Sequence, residues 1–475
     1  MSDNYDHGVT FKPDNIEKVV YDLNQLDLEH SYRYVRVYWV DLANVKRCRI
    51  VTLNYFKQML ASNRPGVNIG KVGLGSIYLN LAPGFTVIGE YVYVPDISTL
   101  RPLPWTKGHL GVVGTFEEKT PYKRPDGSLS LEVELCPRTV LRKVVEDAKQ
   151  SCNVEFLVGV ESEFILLSST NPVKAPNDHQ WSASDGFLAG TKEETILQEI
   201  GDAMLDSGLS LQMIHSEAAP GQYEVVGGPL SPLDAADQVI FTRELIVNIA
   251  SKHGLRATFS PRPFMESPGS AAHIHISVHS ADEPTKPINE MSKAESAFLA
   301  GVIGHLPALP AVTLPTPASY KRMTDGIFSG GTFVHYGTEN REAPIRLTNA
   351  TSPKSRNFEM RFIDETANPY LALAAILGAG VIGIKEKKPL EIKDCPGPLC
   401  AWQMTEEERR ALGITKRMPL DIEEARNNFK GDAGITAVFG TELVEKYLSV
   451  NKTLEGALLE GGDEAVHMKR IVELY

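Results

Sequence analysis

The sequence predicts an α/β protein of two units, a small sheet-containing one over about 1–115 and a larger one over 116–475. Three observations lead there. The chain has 475 residues, more than one ordinary core holds. Near its start YVRVYWV (34–40) alternates with Val35, Val37 and Trp39 on one face, and a short turn at 41–44 leads to CRIVTL, which reads as a hairpin. Pro102 and Pro104 then punctuate the chain, and beyond them strand-like and helix-like patterns intermix.

Taken in order, residues 1–14 read as a polar, acidic tail rather than a secretory leader, and 15–28 has a weak helical pattern. Residues 53–61 read as a helix, 64–89 are rich in Gly and Pro, and 91–94 form a strand closed by Pro95. In the larger unit 112–116 resembles a strand, and Pro137 opens a helix that runs to 150. The run VGVESEFILL (158–167) reads as a buried strand, 171–188 as a loop, and 193–207 as a helix stopped by Gly208. Ser231 can cap a helix starting at Pro232 and ending at Gly254, with Leu233, Ala236, Ile240, Val247 and Ala250 as its buried stripe. Thr405 and Glu408 form a capping-box pattern, and the charged helical tail around them reads as a packing subdomain. The longest apolar stretch, 371–384, has 14 residues, too few to span a bilayer.

The formal net charge of −12 disfavours nucleic acid, which wants a basic surface. The five cysteines (Cys48, Cys136, Cys152, Cys395, Cys400) have no C-x-x-C spacing and read as reduced thiols, so a cytoplasmic protein with no membrane partner is expected.

The chemistry concentrates in four runs. Glu161 and Glu163 sit two apart inside an apolar strand, so both carboxylates share a face. Two like charges held there are costly unless arginines or a divalent metal pair with them. GSAAHIHISV (269–278) puts His273, His275 and Ser277 on one face and Ile274, Ile276 and Val278 on the other. In 212–228, Glu217 precedes a Pro220-Gly221 turn, after which Gln222 and Glu224 share a face; in NFEMRFI (357–363), Glu359 and Arg361 do. Five carboxylates and a histidine, with no thiolate, suit Mg2+ or Mn2+ better than structural zinc. Lys321, Arg322, Arg341, Arg346, Lys354, Arg356 and Arg361 add positive charge late in the chain. Metals with fixed arginines handle phosphate in transfer reactions, although each run alone also fits a structural ion pair or ordinary surface charge. No G-x-x-x-x-G-K-[ST] and no G-x-G-x-x-G is present.

At these residues the chain resembles the glutamine synthetase family: VGVESEF, HSEAAPGQYE, GSAAHIHIS, SYKR, NREAPIRL and SPKSRNFEMRFIDETANPYLALAAIL occur in the family's order. The resemblance implies an α+β fold, with a small β-grasp N-terminal domain over 1–115 and a catalytic domain over 116–475 whose curved antiparallel sheet is flanked by helices. It implies a double-ring homo-oligomer with sites between subunits, and ATP and two divalent ions per site. Glu163, Glu217 and Glu224 would hold one ion, and Glu161, His273 and Glu359 the other. His275, Ser277, Arg341, Arg346 and Lys354 match positions on the nucleotide; Arg322, Arg341 and Arg361 match those holding the acid and the transferred phosphate.

The departures from the family sit on the amine side. Where the family has an acidic loop that helps bind ammonium, this chain reads KVGLGSIYLN, without a carboxylate. Where a flap glutamate is expected the run is RMTDGIFSGG, with Phe328 in that place and Asp325 three residues before it. Gly269 follows Pro268 instead of Asn, one arginine of a K-x-R-R run is Asn357, and no Tyr occurs between Tyr370 and Tyr447. These features are similar to FluG-type proteins and γ-glutamyl amide ligases. They imply an ATP-dependent ligase joining glutamate or a related acid to an amine other than ammonia. The alternative is a non-catalytic oligomer with a scaffolding or regulatory role. A guanidino kinase shares the sheet type but not this six-ligand pattern.

Overall fold

The computed structural model describes residues 6–28, 31–177, 186–288 and 290–475. The hairpin forms as Tyr34–Val40 against Lys46–Thr52, followed by the helix Leu53–Leu60, whose first turn is capped by Thr52. Tyr34–Val40 pairs on its other side in parallel with His109–Val112, which pairs with Arg101–Pro102. A mixed four-stranded sheet with its parallel pair in the middle is the β-grasp arrangement. A second four-stranded sheet runs Leu129–Glu132, Gly114–Lys123, Glu90–Pro95, Val67–Gly70.

The single strand expected over 112–116 is two strands in different sheets, meeting at Val113. The reason is close packing: a Cβ on Gly114 would lie 2.0 Å from the Val94 carbonyl oxygen, so the chain crosses there only without a side chain. The weak helical pattern at 15–28 yields only Leu23–Leu28, with a 3-10 turn at Pro13–Asn15 before it. The loop expected over 171–188 contains a two-residue strand, Val173–Lys174, and its residues 178–185 lie outside the described residues, as do 1–5 of the expected tail.

The largest sheet has eight strands. Its order is Met213–Ser216, Gln222–Leu230, Val154–Leu167, Ile274–Ser280, Asn357–Met360, Ile345–Thr348, Tyr336–Thr338, with Arg256–Thr258 also on the central strand. All neighbours are antiparallel except the last pair. The central strand is longer than the 158–167 run because Val154 and Phe156 extend its inward-facing series. Helices Pro137–Cys152, Pro232–Lys252, Lys293–His305 and Pro369–Glu386 pack together on that face. The alternation on the central strand explains why. Phe156, Val158, Phe164 and Leu166 are buried, and Phe156 meets Phe298 of the third helix with ring centroids 5.4 Å apart. Glu161 and Glu163 point the opposite way, into the open face. Ser231 accepts from the Asp234 N–H at 3.4 Å to start Pro232–Lys252, as its cap pattern predicts. The apolar stretch 371–384 lies within Pro369–Glu386, an 18-residue helix long and apolar enough to cross a membrane but 78% buried in this core.

Candidate active site

Strand register assembles the site. Glu163 lies directly across from Glu224, and His275 directly across from Glu359. His215, on the edge strand, lies across from Glu224 on its other side. Two groups of ligand atoms result, each within 4.8 Å: His215, Glu217 and Glu224 in one, Glu161, His275 and Glu359 in the other. Glu163 and His273 sit between them, with His273 Nδ1 3.1 Å from Glu161 and 3.7 Å from both Glu163 and Glu359. All six carboxylate and imidazole positions expected to hold metal therefore line one region. The tight groups differ from the expected division in that His275 takes the place expected for His273, and His215 joins the other set. Sequence reasoning passed over His215, although in H-S-E it shares a strand face with Glu217.

Electrostatics divide the cluster. Burial opposes ionisation of Glu161, but His275 at 2.9 Å and His273 hold its carboxyl well below the usual range. Burial likewise works against Glu359, and the Arg361 guanidinium beside it outweighs that. The other carboxyls go up. Glu163 is raised by burial and by Glu224 and Glu217, Glu217 by burial, and Glu224 is pushed up to about 7 by burial. His215 rises to about 9 because it bonds Glu224 at 3.0 Å. His275 is also lifted to about 9, Glu161 overcoming its burial, while burial and then Arg361 push His273 down to about 4. At carboxyls crowded and raised in this way a divalent cation can take the place of protons. The orphaned atoms agree: His273 Nε2 is buried without a partner among the described residues, as are Nε of Arg322 and Arg346. A neutral imidazole with a free nitrogen beside carboxylates fits a divalent ion.

The arginines divide as well. Arg361 contacts Glu359, donates to the Arg341 carbonyl at 3.1 Å and to the Phe328 carbonyl at 2.9 Å. Arg346 reaches Glu359 at 3.1 Å. Arg322 is buried behind Glu163, and Gly269 makes room for it: a Cβ there would sit 3.1 Å from the Arg322 Cβ. The Arg341 side chain is exposed, and only its backbone joins the network. His275, Ser277 and Lys354 line an adjoining cavity of about 640 Å³ with Glu161 and Asn357. Ser277 Oγ lies 2.8 Å from His279 Nε2, and Lys354 is exposed, 3.4 Å from Asp6. Lys321 pairs with Glu464 and Arg356 with buried Glu295, both outside the cluster. Asp325 is occupied elsewhere: it accepts from Thr332 N at 3.0 Å and from Arg417 at 3.2 Å, which ties it to the loop's base.

The catalytic-domain model of glutamine synthetase matches residues 134–470, which includes every cluster residue. The chain belongs to the glutamine synthetase family. Protein fluG of Emericella nidulans is 34% identical over 449 residues, 93% of this chain and 49% of that protein, so the chain spans about half of this relative's length. A glutamine synthetase of Methanocaldococcus jannaschii is 34% identical over 388 residues, covering 78% of this chain and 80% of that one. A gamma-glutamylpolyamine synthetase of Streptomyces coelicolor is 31% identical over 343 residues, 69% and 71% of the two chains. Among solved structures, a GmaS/ADP complex superposes with a TM-score of 0.74 at 25% identity, covering 91% of this chain and 94% of that one.

Proposed function

We propose that this glutamine synthetase-family chain is an ATP-dependent carboxylate–amine ligase that makes an amide through an acyl phosphate. Glutamate or a related acid would be activated, and an amine other than ammonia would be the nucleophile. The observation that carries the reading is the convergence of five carboxylates with His273, whose buried Nε2 lacks a partner among the described residues. Glu163, Glu217 and Glu224, supported by His215, would hold one Mg2+ or Mn2+; Glu161, His273 and Glu359 would hold the other. Such ions supply Lewis-acid neutralisation of phosphate charge.

The chain's own groups do the rest. His275, Ser277 and Lys354 bind the nucleotide in the adjoining cavity, and Arg346 and Arg341 join them through the family resemblance of their positions. Arg322 and Arg361 hold the acid and face the charge that develops on the transferred phosphoryl group. The acid's oxygen attacks the γ-phosphorus and ADP leaves; the amine nitrogen then attacks the carbonyl carbon, loses a proton, and inorganic phosphate departs. The amine preference rests on Phe328 and on KVGLGSIYLN, neither of which offers the negative charge an ammonium ion wants. Similarity to a gamma-glutamylpolyamine synthetase agrees with it. The family resemblance carries the further proposal of a ring oligomer.

A screen of ADP release over acids and amines tests this reading. At least one organic amine should exceed ammonium about tenfold in kcat/KM with glutamate or a close relative; ammonium with glutamate as the best pair by far would refute the altered amine site. A second reading, a non-catalytic oligomer, has one observation in its favour: Glu359 is engaged by both Arg346 and Arg361, and Glu161 by both histidines. Calorimetry with Mg2+ and a non-hydrolysable ATP analogue decides it, absence of binding favouring the scaffold.

A further inference from the structure

The loop after Arg322 reverses direction through left-handed residues: Gly326, Gly330 and Gly331 at φ of 80°, 89° and 64°, and Phe328 at 59°. Three of these are glycines, which adopt that region freely. Phe328 is the exception, and a bulky residue there is strained unless its surroundings hold it. They do. Glu342, 6% exposed, accepts from the Phe328 N–H at 2.6 Å with one carboxylate oxygen and from the Gly326 N–H at 3.1 Å with the other. Arg361 takes the Phe328 carbonyl at 2.9 Å while touching Glu359. The peptide units around Phe328 are thus fixed on both sides, and one guanidinium separates them from the carboxylate cluster. Phe328 is 66% exposed. A buried carboxylate used on two backbone N–H groups is a costly device for a loop, and its product is an uncovered aromatic ring fixed at the rim of the site.

We propose that Phe328 selects the amine by packing on the carbon chain of a primary alkylamine, and that Glu342 is the positioning residue that holds it there. This rests on the ligase reading and narrows its substrate class. Glycine tolerates the Phe328 backbone, so Phe328→Gly removes the ring without unfolding the loop.

The test compares butylamine with ammonium in the wild type, Phe328→Gly, Glu342→Gln and the double variant, with glutamate, ATP and Mg2+. Phe328→Gly should raise KM for butylamine about tenfold, erase the preference for butylamine over ammonium, and leave Tm unchanged or higher. Glu342→Gln should lose the butylamine preference too, and in the double variant it should add nothing further. An unchanged amine preference in Phe328→Gly, or additive effects in the double variant, overturns the proposal. If Phe328→Gly alters only the oligomer, the ring is a contact between copies and the proposal fails. Amide hydrogen exchange at Gly326 and Phe328 reads the clamp without turnover. It should accelerate more than tenfold in Glu342→Gln, and unchanged exchange overturns the positioning role. A wild type that forms no amide with any amine refutes the ligase reading and with it the amine selection, while the exchange result still decides the clamp.

Discussion

Glu224 and His215 give the site a pH signature. The Glu224 carboxyl, ordinarily at 4.5, stands at about 7 in the fold, so between those values the folded state holds a proton that the unfolded chain releases. Its stabilising effect is complete below 4.5 and is lost as pH rises through 7. His215 rises from 6.5 to about 9, so its effect is complete below 6.5 and lost on passing 9. Both slopes have the same sign. Glu161 and Glu359, held low by their partners, are lost on the acid side of this window. His273, pushed down to about 4, works with the opposite sign below 6.5, so the fall is clear above that value: metal-free protein should lose about 1–3 kcal/mol between pH 7 and pH 9, read as a falling Tm. Millimolar Mg2+ should cancel most of that fall, because a cation replaces the protons. Glu217→Gln should reduce the metal response more than the metal-free stability, and a Tm that rises with pH over that range in the metal-free wild type would contradict the assignment. The carboxylates were legible because a strand's period of two states which of them share a face, whereas His215 was passed over. Glu342 was not: it acts on a loop 14 residues earlier through left-handed backbone that no periodicity reveals.

At the scale of elements, glycines set how close the helices behind the site lie. A Cβ on Gly301 would meet the Ala379 carbonyl oxygen at 2.3 Å, and one on Gly380 would fall 2.1 Å from the Phe298 ring. Phe298 stacks on Phe358 with centroids 5.8 Å apart, and Phe358 directly precedes Glu359 on the strand. Gly380→Ala should thus push Phe298 against the sheet, costing about 1–3 kcal/mol by overpacking. It should also weaken metal binding several-fold through displacement of Glu359. Denaturant melts and Mn2+ titration read the two effects; loss of stability with metal affinity intact would show that the strand does not transmit the strain. The helix over 371–384 was visible as an apolar run, and its neighbours were not, since pairing between elements hundreds of residues apart leaves no local signal. The 112–116 run shows the same limit: its strand character was readable, its switch between sheets at Gly114 depends on Val94.

For the whole molecule, an uncovered apolar patch on the N-terminal unit stands out. Tyr78, Leu79, Val87 and Ile88 are 55%, 101%, 75% and 77% exposed, four apolar side chains within one short segment. Single exposed apolar residues are ordinary, whereas a cluster marks a contact surface. Tyr78 and Leu79 also lie within the KVGLGSIYLN run, which has no acidic group and which the family resemblance places beside an amine site. The ring oligomer proposed above would account for both facts, with the patch packing on a second copy and the run reaching that copy's site. Leu79→Asp should then lower the mass measured by light scattering and reduce amide formation at least tenfold. Mg2+ binding to the carboxylate cluster, which one chain supplies by itself, should persist. A variant that keeps the wild-type mass would exclude this patch from the interface, and one that loses metal binding along with assembly would mean that the cluster itself depends on a neighbouring copy.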